Sequence, residues 1–250
     1  MRILVINANT DPVMTQVIRK ELERVKRSDT EIEVVNAPGA PQFIETALHD
    51  VQCLPGILEH VAAAKENGMD AIVLACFTDP ALDAARELTD LPVVGIQAAS
   101  LFLAAQLGRR VCVLVPDTGV KYVPACDVDV LQSKLGPQFA GCEVIDVPVA
   151  GTVRDQDMVL RQLIEVARRT ATENRAAVFV LGCAGFGYLA DALQRAIGLP
   201  VVGPDAAALK TAETLVDLGL SHTVRQGADG SSAPPLDRGE SIHGHRQRDL

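Results

Sequence analysis

The 250-residue chain carries 23 basic and 32 acidic side chains, a formal charge of −9, with no basic run; 48% of its residues are apolar and it has no Trp. That balance argues against nucleic acid or an anionic membrane surface as partner and favours a small molecule. The length suffices for one large domain or two small lobes, and with aromatics at only 3% the core must be built from Ala, Val, Leu and Ile.

The chain begins "MRILVIN", which reads as a strand rather than as a basic segment leading into an apolar signal core, and no apolar run approaches membrane length. A cytoplasmic location is expected. Cys53, Cys76, Cys112, Cys126, Cys142 and Cys183 are therefore expected as thiols, most of them small core hydrophobes, Cys112 in "RRVCVLV" being a clear instance.

In chain order, short β-branched runs bounded by Gly, Pro and Asn alternate with amphipathic stretches, the pattern of βα units on a parallel sheet. The expected strands are Ile3–Ile6, Ile32–Val35, Ala71–Ala75 and Val93–Ile96, then Val111–Val115, Val144–Val147, Ala177–Leu181 and Val201–Val202. Helix ends are expected near Gly68, Gly108 and Gly198, and a last helix over Ala206–Leu218 should stop at Gly219. Residues 226–250 mix Gly, Ser, Pro and charge without periodicity and are expected as a disordered tail; its "HGH" has no further ligand nearby.

The two sets of strands repeat one another. "RILVINANT" from Arg2 aligns with "RVCVLVPDT" from Arg110 at an offset of 108, and "EVVNAP" from Glu33 with "EVIDVP" from Glu143 at 110. The strands ending at Cys76 and Cys183 align at 107, and the two "LPVVG" segments at 108. A near-constant offset through four elements indicates a duplicated α/β lobe. We divide the chain into a first lobe, residues 1–98 plus 205–222, and a second, 99–204.

Ligands of open parallel sheets bind beyond the carboxyl ends of the strands. Each cysteine is placed there, ending a strand and opening a helix, so the amides of Phe77, Thr78 and Asp79 and of Ala184, Gly185 and Phe186 are candidate anion donors. The same dipole should lower the pKa of Cys76 and Cys183. Facing each other across a pseudo-two-fold axis, a thiolate and a thiol suit inversion at carbon, where one face loses a proton and the other receives one.

His49 and His60 fall on an expected helix and read as ordinary surface or half-buried residues; His222, His243 and His245 lie at or beyond the last helix. No Cys–His dyad, Walker loop, G-x-G-x-x-G after a strand or metal-spaced cluster is present, so neither metal nor cofactor is expected. The first strand ends in "NANTD" and its counterpart in "PDT". These turns either cap a helix or bring Asn9, Thr10 and Thr118 to the cleft; Tyr122, four residues after Thr118, is a further candidate. Phe43, Ile44, Phe77 and Phe186 suit either a pocket wall or the core.

"MRILVINANT", "ACFTDPALDAARELTDLPVVG" and "VLGCAGFGYLADAL" resemble the aspartate/glutamate racemase superfamily, and within it the hydantoin racemase branch, over roughly residues 1 to 220. The resemblance implies two flavodoxin-like parallel-sheet lobes related by a pseudo-two-fold axis. It further implies cofactor-independent two-base catalysis in which Cys76 and Cys183 alternate as proton acceptor and donor. Asn9 and the segments after each cysteine would hold the substrate, and a homo-oligomer is expected. Ala8 stands where the branch usually has Pro, Thr78 where it has Gly, and Phe186 where it often has Met. The amino-acid racemases of the superfamily follow their second cysteine with Thr and His, whereas this chain has Ala184 and Gly185. That favours a 5-monosubstituted hydantoin or the ureide allantoin over a free amino acid. Arylmalonate decarboxylases lack the first cysteine, which this chain keeps. The alternatives are an amino-acid racemase or maleate-type isomerase of the same superfamily and, outside enzymes, a two-lobed binding protein or dithiol redox sensor.

Overall fold

The computed structural model describes residues 1–118 and 127–222. Two four-stranded parallel sheets carry the chain. The first comprises β1 (Arg2–Asn7), β2 (Glu31–Asn36), β3 (Ala71–Ala75) and β4 (Val93–Gly95), interleaved with α1 (Pro12–Val25), α2 (Ala47–Ala64) and α3 (Leu82–Leu88). After α4 (Ile96–Leu107) the pattern recurs as β5 (Val111–Asp117), α5 (Val128–Leu135), β6 (Phe139–Pro148), α6 (Gln156–Glu173), β7 (Val178–Leu181), α7 (Ala190–Ile197) and β8 (Val201–Val202). The closing helix α8 spans Pro204–Asp217.

The strand orders are β2-β1-β3-β4 and β6-β5-β7-β8, so the repeat visible in sequence is a repeat in topology. Register agrees: Ile3 pairs Ala71 in the first sheet, and Val111 pairs Val178 in the second. All eight expected strands form. Ile96, expected in a strand, instead opens α4, and α8 starts two residues early because Pro204 fits the first helical position, where its missing N–H costs nothing. Gly219 (φ 63°) follows the end of α8, where a left-handed residue is readily supplied by glycine.

Each inner strand alternates between two cores. Ile3 and Val5 of β1, with Val111, Val113 and Val115 of β5, join α1, α4, α5 and α8 in one central apolar cluster. Leu4 and Ile6 face α2 and α3 on the outside of the first sheet, and Cys112 and Leu114 face α6 and α7 on the outside of the second. The lobes therefore share their middle layer. The division at residue 98 falls inside α4, which packs on elements of both sheets, and α8 returns to β3, β4 and α1 of the first lobe.

Not every cysteine is a thiol. Cys53, Cys76, Cys112 and Cys183 are free, whereas Cys142 is disulfide-bonded. A bridge depends on Cα separation and direction, which spacing along a chain does not report. Among the described residues no helix is long and apolar enough to cross a membrane.

One side-chain contact ties the turn after β3 to the helix between the lobes. The buried carboxylate of Asp79 accepts from the N–H of Gln97 (2.9 Å) and of Ala98 (2.8 Å), capping α4, whose own N-cap residue, Gly95, supplies no side-chain acceptor. A Cβ at Gly95 would lie 2.4 Å from the Asp79 carboxyl carbon. Asp79→Ala should therefore lower stability by about 1–2 kcal/mol, the cost of losing such a cap. The midpoint of urea unfolding at constant m-value measures it, and an unchanged midpoint would show that the contact adds nothing.

Candidate active site

β1 lies between β2 and β3, so successive connections leave it toward opposite sides and open a crevice beyond its carboxyl end. β5 stands in the same relation to β6 and β7. Both crevices contribute to one cavity, open to solvent on one side, with about 570 Å³ of empty space including that opening. Asn9, Asp50, Ala75, Cys76, Phe77 and Thr78 line it from the first lobe, with Ile44, Glu45 and Thr46 from the segment leading into α2 and Met14 from α1. Pro116, Thr118, Val149, Gly182, Cys183 and Ala184 line it from the second.

The structure thus brings Cys76 and Cys183 to one cavity, with Asn9, Phe77, Thr78, Thr118 and Ala184. It does not bring Thr10 there: that side chain is exposed, and its N–H donates to Pro41 O at 3.1 Å. Gly185 is buried beneath the lining, where an added Cβ would lie 2.2 Å from Thr152 Oγ1 and 2.9 Å from Met14 Cε. Tyr122 lies outside the described residues, as does the segment 226–250. Ile44 and Phe77 belong to the cavity wall, whereas Phe186 is fully buried in the second lobe's outer core and Phe43 packs against the central cluster.

The "NANTD" turn both caps and lines. Asp11 Oδ1 accepts from Met14 N–H at 2.8 Å and caps α1, while Asn9 Oδ1 accepts from Asn7 Nδ2 at 2.9 Å and from Asp11 N–H at 3.0 Å. Among the described residues the Asn9 amide NH₂ has no acceptor and is left to serve a ligand. Thr118 Oγ1 is buried without a partner among the described residues, a cost normally relieved by a ligand or water.

The turns after the two cysteines differ. Cys183 caps a short 3-10 helix, Ala184–Leu189, that leads directly into α7. Cys76 instead starts a turn in which Asp79 (φ 48°) and Ala81 (φ 62°) are left-handed, and α3 begins only at Leu82. The cysteine does not open a helix there, because the Asp79 side chain is directed to α4 instead.

The six candidate amides narrow to two. Asp79 N–H donates to Cys76 O and Phe186 N–H to Cys183 O, each at 3.0 Å, closing the turns. The N–H groups of Thr78 and Gly185 are turned toward the sulfurs of Cys76 and Cys183, whose thiolates they favour. Among the described residues no acceptor engages the N–H of Phe77 or Ala184, one from each lobe, and both residues line the cavity.

Neither thiol is acidified. Burial pushes both Cys76 and Cys183 up to about 12, against the expectation that helix dipoles would lower them. Loss of hydration outweighs the single amide donated to each sulfur and, at Cys76, the Asp50 carboxylate adds repulsion.

Asp50, absent from the sequence reading, sits on α2 with Oδ1 at 2.6 Å from Thr78 Oγ1, which lies 3.4 Å from Cys76 Sγ. On the other side, the Thr152 hydroxyl neighbours Cys183, whose thiolate it favours, and donates to Val149 O at 2.8 Å. Sequence carried one trace of the Asp50 contact: Asp50 and Cys53 are one helical turn apart, on the face of α2 turned to β3. Among the described residues no group of three or more His, Cys, Asp or Glu side chains is placed to hold a metal ion.

The class is that of an isomerase, a racemase: the Asp/Glu/Hydantoin racemase model matches residues 3–212, and the chain belongs to that family. More particularly, it is 37% identical to a hydantoin racemase of Pseudomonas sp. (strain NS671) over 221 residues, covering 88% of this chain and 87% of that one. To a hydantoin racemase of Rhizobium meliloti it is 35% identical, covering 88% and 91%. Its structure superposes on the allantoin racemase from Klebsiella pneumoniae with a TM-score of 0.84 at 32% identity, covering 89% of this chain and 90% of that one.

With both thiols raised, iodoacetamide labelling of Cys76 and Cys183 in the free protein should climb about tenfold per pH unit between roughly pH 7 and 9, following the thiolate fraction. Peptide mass spectrometry resolves the two sites. A plateau below pH 8 would mean that the amide donors override burial.

Proposed function

We propose that the protein racemises 5-monosubstituted hydantoins, or the related ureide allantoin, by moving the C5 proton between two thiols without a cofactor. The observation that carries this reading is the convergence of Cys76 and Cys183, each at the end of the third strand of its lobe, on one cavity. One sulfur, as thiolate, takes the C5 proton; the electron pair moves into the ring carbonyl as an enolate; the opposite thiol returns a proton to the other face of C5. The unengaged amides of Phe77 and Ala184 suit the developing enolate oxygen, where such a donor contributes about 3 kcal/mol. Asn9 NH₂ and Thr118 Oγ1 supply hydrogen-bonding groups for the ring's amide edges.

The carboxylates of Glu45 and Asp50 in the cavity wall favour an uncharged ring with outward N–H groups over a free amino acid, whose carboxylate they would repel. Relatives of the hydantoin and allantoin racemase type add support.

The test is loss of optical rotation from an L-5-alkylhydantoin, run beside allantoin and L-aspartate with purified protein and no added cofactor. Rotation should decay for a cyclic ureide and persist for aspartate; decay for aspartate alone would reject the reading. In D₂O, turnover should incorporate deuterium at C5. Cys76→Ser and Cys183→Ser should each reduce racemisation roughly 10²–10⁴-fold, the usual span for removing a general acid or base. A fully active Cys183→Ser variant would reject the two-thiol mechanism.

A further inference from the structure

The two sulfurs share a cavity but not an electrostatic setting. A hydroxyl has one proton to donate. That of Thr78 is directed to Asp50 Oδ1, at 2.6 Å a short, charge-assisted bond, so the face it turns to Cys76 at 3.4 Å presents only lone pairs. Such a contact accepts S–H and gives a thiolate nothing. Cys183 differs. Its neighbouring hydroxyl, Thr152, donates to a neutral carbonyl, Val149 O, at 2.8 Å, a weaker hold that leaves the proton able to turn toward a thiolate. Asp205, whose charge would raise Cys183, is fully buried with neither oxygen hydrogen-bonded among the described residues, and burial favours its uncharged form.

We propose that Asp50, acting through the Thr78 hydroxyl, holds Cys76 as the thiol, so that when one sulfur of the pair ionises it is Cys183. Asp50 is thereby a positioning residue for the proton inventory of the pair, and the free enzyme is set for the enantiomer whose C5–H faces Cys183. The inference rests on the two-thiol reading above. The other groups facing Cys76 do not reverse it. Cys53, from α2, is a buried thiol pushed up to about 12; Cys183 is raised by charge on the Cys76 sulfur, a repulsion that acts equally in either direction; and Asp79, in the same turn, adds negative charge in the same sense as Asp50. Burial raises the Asp50 carboxyl itself, while the Thr78 hydrogen bond and, when charged, the neighbouring His49 favour its ionised form.

Site-resolved iodoacetamide labelling of the free, full-length protein at pH 8 tests the inference without any substrate. In the unaltered protein Cys183 should label faster than Cys76. Asp50→Asn removes the charge and keeps the shape, and should speed Cys76 about tenfold, the equivalent of one pKa unit, while Cys183 stays within about twofold. Thr78→Ser should retain the original Cys76 rate, and in a Thr78→Val background most of the Asp50→Asn effect should vanish.

Faster labelling of Cys76 in the unaltered protein overturns the inference, as does an unchanged Cys76 rate in Asp50→Asn. An equal rise at both cysteines also overturns it, since that reports a loosened cleft, and an undiminished effect in the Thr78→Val background removes the hydroxyl's part. Because labelling needs no turnover, absence of racemisation with this labelling pattern would reject the substrate class and leave the bias standing.

Discussion

Burial of alternate residues of β1, β3, β5 and β7 against the same inner helices is the constraint from which the active site follows. Each sheet needs both faces covered, and the inner faces are covered by one shared layer of α1, α4, α5 and α8. Two lobes that share a middle layer cannot be placed at will. Their strand ends point into a common crevice, and the loops after β1 and β3 meet those after β5 and β7. The cavity is thus a product of core packing, with Asp79 carrying the connection from the Cys76 turn to the inter-lobe helix α4.

The same packing raises the thiols. A thiol pushed up to about 12 is rarely ionised near neutral pH, which costs population. Its thiolate is correspondingly a stronger base, which in the proposed reaction would help against a C–H bond of low acidity. Closed surroundings also make each fixed donor more effective than it would be in water, so the free amides of Phe77 and Ala184 count for more. Scarcity of the thiolate and strength of the donors proposed for the enolate oxygen have one origin, the exclusion of solvent.

Much of the fold was legible in the chain because it is written in periodicity. Runs such as "RVCVLV" are apolar on both faces and flanked by turn residues, which is what a buried parallel strand requires, and the fixed offset between lobes exposed the duplication. Cys76, Cys183, Asn9, Phe77, Thr78, Thr118 and Ala184 were legible as cavity residues because strand ends have a known polarity. Thr10 was not separable from Asn9 by that logic, since adjacent residues of a turn point in different directions. Asp50, Glu45 and Thr152 come from helix and loop segments brought in by tertiary packing, and apart from the one-turn spacing of Asp50 and Cys53 nothing local marks them. Nor does sequence reveal the raised thiols: a strand end shows where a dipole points, whereas desolvation depends on what the opposite lobe covers.

The close quarters at Gly185 have a consequence for how such a site can change over time. With Thr152 Oγ1 2.2 Å and Met14 Cε 2.9 Å from where a Cβ would stand, this position faces two segments remote in sequence, one from each lobe. A side chain introduced at position 185 must therefore be accompanied by a smaller or turned residue at 152 and a displaced Met14 side chain. Drift toward a different substrate along this wall is an epistatic path, open only to changes made together.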